Sequence, residues 1–189
     1  MKQLKFAGGT AVILCLLFFL AALICTPRSS YAASAEEINI NVDATLKRFK
    51  LLVPGGTEFL QKAKGVLVFP NVIKAGFFLG GEYGEGALRV DGETVGYYST
   101  AAASIGLQLG AQSKSVVLVF LEDQALADFR QSRGWKVGVD GSVALVQWGT
   151  GGDVNTIEMK DPIVGFVFNN KGLMFNLTLE GAKFTPIVR

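Results

Sequence analysis

Gly65-Val66-Leu67-Val68-Phe69-Pro70-Asn71, running on into Val72-Ile73-Lys74-Ala75-Gly76-Phe77-Phe78-Leu79-Gly80-Gly81, is where the chain changes its period. Before Gly65, apolar residues recur every three or four positions. From Gly65 onward, β-branched and aromatic residues come in short runs separated by turn formers. Residues 65–69 read as a strand ended by Pro70-Asn71, and 72–81 as the next. Further strand-like runs follow at 86–90, 94–99, 104–110, 116–121, 134–139, 142–148, 163–168 and 173–179. Asp91-Gly92, Asp140-Gly141 and Asn169-Asn170-Lys171-Gly172 punctuate them. A helical stretch at 123–133 is the interruption. Short strands joined mainly by hairpins predict an α+β fold with a predominantly antiparallel, curled or barrel-like sheet. An N-terminal amphipathic helix and one or two further short helices complete it.

That helix is expected over 36–52. Ile38, Val42, Leu46 and Phe49 recur at three- and four-residue spacing, and Leu52 or Val53 continues the stripe. Glu36 and Glu37 at its start and Lys47, Arg48 and Lys50 near its end suit the helix dipole. Pro54-Gly55-Gly56 stops it. A second, shorter helix is expected over 57–64. The stripe Ile38, Val42, Leu46, Phe49 faces either a protein core or a bilayer, and spacing alone does not separate the two.

The first thirty-five residues have the order of a secretory signal. Lys2 and Lys5 form a positive start, 11–25 is an unbroken apolar run, and Thr26-Pro27-Arg28-Ser29-Ser30 breaks it. Ala33-Ser34-Ala35 is an A-x-A cleavage site, with Ser30-Tyr31-Ala32 as a second choice. A retained anchor is the rival reading, but fifteen apolar residues fall short of the roughly twenty that span a bilayer. The expected organisation is a cleaved signal over 1–35 and one domain over 36–189. The expected address is the periplasm or cell envelope, in association with a membrane.

The whole chain has 18 Lys and Arg, 16 Asp and Glu, and no histidine. Lys2, Lys5 and Arg28 belong to the signal, so the remainder carries fifteen cations against sixteen acids, a net of −1. Cys15 and Cys25 also lie in the signal, which leaves the domain without a thiol or disulfide. Without His or Cys, the usual transition-metal ligands and the Ser-His-Asp and Cys-His arrangements are missing. No metal, cofactor or nucleic-acid partner is expected.

Several motifs in a fixed order carry a family resemblance. They are Lys62-Ala63-Lys64-Gly65-Val66-Leu67-Val68-Phe69-Pro70, then Lys74-Ala75-Gly76-Phe77-Phe78-Leu79-Gly80-Gly81, then Gly84-Glu85-Gly86. Ser104-Ile105-Gly106-Leu107-Gln108-Leu109-Gly110-Ala111-Gln112 and Gly165-Phe166-Val167-Phe168 follow. Lys171-Gly172-Leu173-Met174 and Leu179-Glu180-Gly181-Ala182-Lys183 close the set. This order resembles the SYLF (Ysc84-like) domain, and Gly96-Tyr97-Tyr98-Ser99 resembles its exported bacterial branch. The resemblance implies a non-enzymatic lipid-binding module. Eukaryotic members bind phosphoinositides through an N-terminal amphipathic helix and nearby basic residues, and some bind actin. For an exported bacterial protein the resemblance implies a generic anionic phospholipid and no actin.

Lys47, Arg48, Lys50, Lys62, Lys64 and Lys74 put six cations within twenty-eight residues, opposed only by Glu58. A basic cluster beside an amphipathic helix is the composition that attaches to anionic lipid heads; the bland alternative is a set of solubilising surface lysines. The same face could instead serve an envelope protein partner. A third reading takes Glu82, Glu85 and Asp91, with Glu180, as carboxylates for glycoside cleavage. Glycines 76, 80, 81, 84 and 86 suit sheet curvature. Trp135 and Trp148 are either interfacial anchors or core.

Overall fold

The computed structural model describes residues 33–77, 79–105, 110–147, 161–172, 179 and 181–189. Contacts divide the chain into 1–32 and 33–189, and every described residue belongs to the second unit. The expected signal therefore lies outside the described residues, apart from 33–35. Among the described residues three helices occur: α1 (Ala35–Leu52), α2 (Gly56–Lys62) and α3 (Asp123–Gln131). The described residues also form eight strands, in the order β1 (Gly65–Phe77), β2 (Leu79–Val90), β3 (Glu93–Ile105), β4 (Gly110–Phe120), β5 (Trp135–Lys136), β6 (Ala144–Gln147), β7 (Ile163–Gly172) and β8 (Lys183–Ile187). They form one sheet ordered β5-β8-β3-β2-β1-β4-β7-β6, curled into a half-barrel. Its ladders are antiparallel except β6–β7, which is parallel. The expected α+β fold with a curled sheet and an N-terminal helix is what forms.

Pro70-Asn71 is not the strand end that its composition suggests. β1 runs through it as a bulge, with the register shifting between Val68 and Asn71 against β2 and between Phe69 and Val72 against β4. Proline cannot donate to a ladder, so a central strand accommodates it only where pairing is already broken. The chain reverses later, where Phe77 pairs with Leu79 and Gly76 with Gly80. Alternation slips at the bulge. Val66 and Val68 face one core and Leu67 and Phe69 the other, whereas beyond the bulge it is Val72 that joins Leu67 and Phe69. Gly86 sits against this bend, and a Cβ there would stand 2.0 Å from the Val68 carbonyl oxygen.

The two cores lie on the two faces of the sheet. On one face Ile38, Val42 and Phe49 of α1 and Phe59 of α2 pack on Val66, Val68, Val117, Val119, Val164 and Phe166. On the other, Leu126 and Phe129 of α3 pack with Leu67, Phe69, Leu118, Phe120, Trp135 and Phe184. Residues 116–120 are fully buried on both faces, which is why that run is apolar without alternation. Other expected strands shift in detail. Of the expected 104–110 strand, 104 and 105 end β3 and Gly110 begins β4, and 106–109 lie outside the described residues. The expected 134–139 strand shrinks to β5. Of 173–179 only Leu179 is described. β8, which the sequence reading does not contain, pairs with β3.

Tyr98 is only 7 % exposed and its ring lies 5.1 Å from that of Phe129. Burial raises its phenol above the ordinary value of 10.0. The fold thus favours the protonated form, so this stabilisation is complete below pH 10 and is lost as pH rises through the raised value. In an alkaline titration Tyr98 is expected to ionise together with unfolding, with tyrosinate absorbance at about 295 nm and far-UV circular dichroism moving in step. Complete tyrosine ionisation with intact circular dichroism would refute this.

Candidate functional site

The outward face of α1 is the first element of the site. Ser34 caps the helix, its Oγ accepting a hydrogen bond from the Glu37 N–H at 3.1 Å. One flank is tied to the sheet: Asn39 Nδ2 donates to the Tyr97 hydroxyl at 2.9 Å, and Thr94 Oγ1 donates to Asn39 Oδ1 at 2.8 Å. Arg89 pairs with Asp43 at 2.7 Å. That pair neutralises the last acid on the helix; none follows until Glu58. The C-terminal half of α1 therefore presents Lys47, Arg48 and Lys50 to solvent. Beside them stand three exposed apolar side chains, Ile40 at 62 %, Leu51 at 84 % and Leu52 at 45 %.

The other flank of α1 overhangs a polar groove of about 340 Å³. Asn41, Ala44, Thr45 and Arg48 line it from the helix, and Pro70, Asn71, Ser113, Asn169 and Lys171 from β1, β4 and β7. The groove exists because two irregularities meet at one level. The β1 bulge lies beside a second register shift, between Ser113 and Ser115 against β7. Asn169 takes up that shift with φ +55, in the left-handed region that asparagine tolerates better than most residues. Its Nδ2 donates to Ser115 Oγ at 3.3 Å, and Ser115 Oγ donates to the Pro70 carbonyl at 2.8 Å. Ser113 Oγ donates to Asn71 Oδ1. The lining holds two cations, three side-chain amides, two hydroxyls and no carboxylate, a composition suited to an oxyanion such as a lipid phosphate.

The six expected cations do not form one patch. Lys47, Arg48 and Lys50 share the exposed end of α1. Lys62 pairs with Glu58 at 2.9 Å and Lys64 with Asp123 at 3.3 Å, both at the surface. Lys74 is the clear correction: it is 2 % exposed, beside Glu82 at 3.5 Å, and follows Val72 onto the face away from α1. The bulge at Pro70-Asn71 put it there. The structure also decides between the two readings of the apolar stripe. Ile38, Val42 and Phe49 are buried in the core and Leu46 packs half-buried against it, so the stripe faces protein and the residues free to meet a bilayer are Ile40, Leu51 and Leu52. Lys171 and Asn169 were missed because Asn169-Asn170-Lys171-Gly172 reads as a turn, whereas β7 continues through it. Trp135 is core at 3 % exposure, and Trp148 lies outside the described residues.

Among the described residues, the candidate acids do not come together as a pair. Glu82 lies between Lys74 and Lys114. Glu85, three residues on, accepts from the Tyr83 hydroxyl at 2.7 Å and pairs with Arg189. Strand alternation sends the two to opposite faces of β2. Asp91 occupies the β2–β3 turn with φ 51, and Glu180 lies outside the described residues. Among the described residues no group of three metal-ligating side chains occurs, and no helix is long and apolar enough to cross a membrane.

Residues 101–187 match the family model Ysc84, described as a Las17-binding protein actin regulator. The match runs from the end of β3 through β8, and so includes Lys171 and Asn169 but not α1. No curated protein matches the chain.

Proposed function

We propose, from the match of residues 101–187 to the Ysc84 family model and the ordered motifs that resemble the SYLF domain, that the chain is a SYLF-type, non-catalytic membrane-surface module that attaches to anionic phospholipid. One observation carries the reading. The same helix end that exposes Lys47, Arg48 and Lys50 also exposes Leu51 and Leu52, and Arg48 turns into the acid-free groove that Lys171 completes. Apolar side chains enter the head-group boundary while cations meet the phosphates, each cation contributing about 1 kcal/mol near an anionic surface. The sheet is the rigid body that holds them.

The test is pelleting with vesicles of phosphatidylcholine alone or mixed with phosphatidylglycerol, over a range of salt. Binding is expected only with the anionic lipid and is expected to fall steeply with salt, because charges are screened within roughly 10 Å at 0.1 M. Equal pelleting on both vesicle types at all salt concentrations ends the proposal and favours an envelope protein partner for the same face.

We further propose export to the periplasm or cell envelope, where actin is not a partner. The helix cap bears on the cut site. Cleavage after Ala35 would remove Ser34, the cap of α1, and Ala33, which packs against the α1-face core; cleavage after Ala32 keeps both. The mature chain is expected to begin at Ala33, as N-terminal sequencing of exported protein would show. A chain beginning at Glu36 would contradict this.

A further inference from the structure

On the face of the sheet away from α1, three adjacent strands bring charged side chains into the interior. Lys74 of β1 has Glu82 of β2 and Gln112 of β4 as its direct cross-strand partners. Lys114, two residues along β4, reaches across β1 so that its Nζ lies 2.8 Å from Glu82 Oε2, while Lys74 Nζ lies 3.5 Å from Glu82 Oε1. The side chains of Lys74, Glu82 and Lys114 are 3 %, 8 % and 0 % exposed. Gln112 is 2 % exposed.

Two features of this cluster go beyond a structural ion pair. The first is charge. Among the described residues, two ammonium groups share one carboxylate, so one positive charge has no acid beside it in the interior, where isolated charge is most costly. The second is unmet hydrogen bonding. Among the described residues, Gln112 has no partner for either Nε2 or Oε1, and Lys114 Nζ, though in ion-pair contact with Glu82, makes no aligned hydrogen bond. Buried polar groups are nearly always satisfied, and clustered exceptions mark a ligand or ordered solvent. Water would supply hydrogen bonds but not charge.

We propose that Lys74, Lys114 and Gln112, buttressed by Glu82, form an interior binding site for a small, singly charged oxyanion. Its carboxylate or phosphoryl oxygens accept from the two ammonium groups and from Gln112 Nε2. An O–H or N–H on the same ligand donates to Gln112 Oε1, so a protonated phosphate or a hydroxy acid uses every group, whereas a halide leaves Oε1 unmet. The burial of Lys114 fits a soluble ion and not a head group anchored in a bilayer. The site is therefore separate from the α1 face and does not rest on the membrane reading.

The experiment is calorimetric titration of the full chain, kept in non-ionic detergent, with inorganic phosphate and with lactate, each at ionic strength matched by sodium chloride. One saturable site is expected for at least one of them. Lys114→Met and Gln112→Leu are each expected to weaken it at least tenfold, while Arg133→Gln, at an exposed residue outside both sites, leaves it unchanged and both interior variants bind anionic vesicles as before. No saturable binding of either ion, or equal binding in both interior variants, overturns the proposal. Should Lys114→Met fail to fold, Gln112→Leu, which keeps shape and net charge, decides alone.

Discussion

Phe49→Ala is expected to lower the unfolding free energy by about 3–5 kcal/mol, the range for truncating a fully buried aromatic side chain. Phe49 is fully buried and meets Phe166 edge-on with ring centres 4.9 Å apart, and Phe168 at 5.6 Å. It is also the floor on which the chain turns into α2: Gly56 packs directly against it, and its carbonyl accepts from the Val53 N–H at 3.0 Å. Truncation therefore removes the lock between α1 and β7 and leaves a cavity that backbone on both sides resists closing. Urea denaturation should show the midpoint falling with little change in slope. Ile40→Ala, on the same helix but facing solvent, should stay within about 0.5 kcal/mol of wild type. A loss below about 1 kcal/mol for Phe49→Ala would mean that α1 contributes little to the core.

The second large effect concerns binding. Neutralising Lys47, Arg48, Lys50 and Lys171 to glutamine is expected to weaken attachment to anionic vesicles about a thousandfold, since four cations at about 1 kcal/mol each amount to roughly three factors of ten. Stability should barely change, because all four are exposed. Neutralising Lys62 and Lys64 is the informative contrast. Each already faces an acid, Glu58 or Asp123, so their removal also uncovers two carboxylates, and on charge alone both sets would weaken binding. What separates them is place: the first set surrounds the groove and the apolar tip of α1. If the Lys62 and Lys64 variant loses as much affinity as the fourfold one, net charge governs attachment and the groove plays no part. Replacing Leu51 and Leu52 by serine with the cations intact tests the apolar half, which should lower binding at every salt concentration.

Local periodicity was enough to place the main elements. The spacing of Ile38, Val42 and Phe49, with Pro54-Gly55-Gly56 after them, set α1 to within one residue of Ala35–Leu52. The apolar runs from Gly65 onward marked a β body, and Asp91-Gly92 marked the β2–β3 turn. Lys47, Arg48 and Lys50 were also legible as one cluster, because three residues in a single helical turn stay together however the helix is docked.

What the sequence by itself could not decide was which side of the sheet each strand residue would face. Pro70-Asn71 can end a strand or bulge it, and only pairing with β2 and β4 selects the bulge. That choice carried Lys74 into the interior with Glu82 and Lys114, away from the cations beside which it stands in sequence. Lys171 made the opposite journey, since its place next to Arg48 depends on β7 pairing with β4 and on α1 crossing above them. Periods of two and 3.6 are properties of a few neighbouring residues, and chain order alone reveals them. Register, bulges and the choice of strand partner depend on contacts between residues tens of positions apart, so only the assembled sheet determined them.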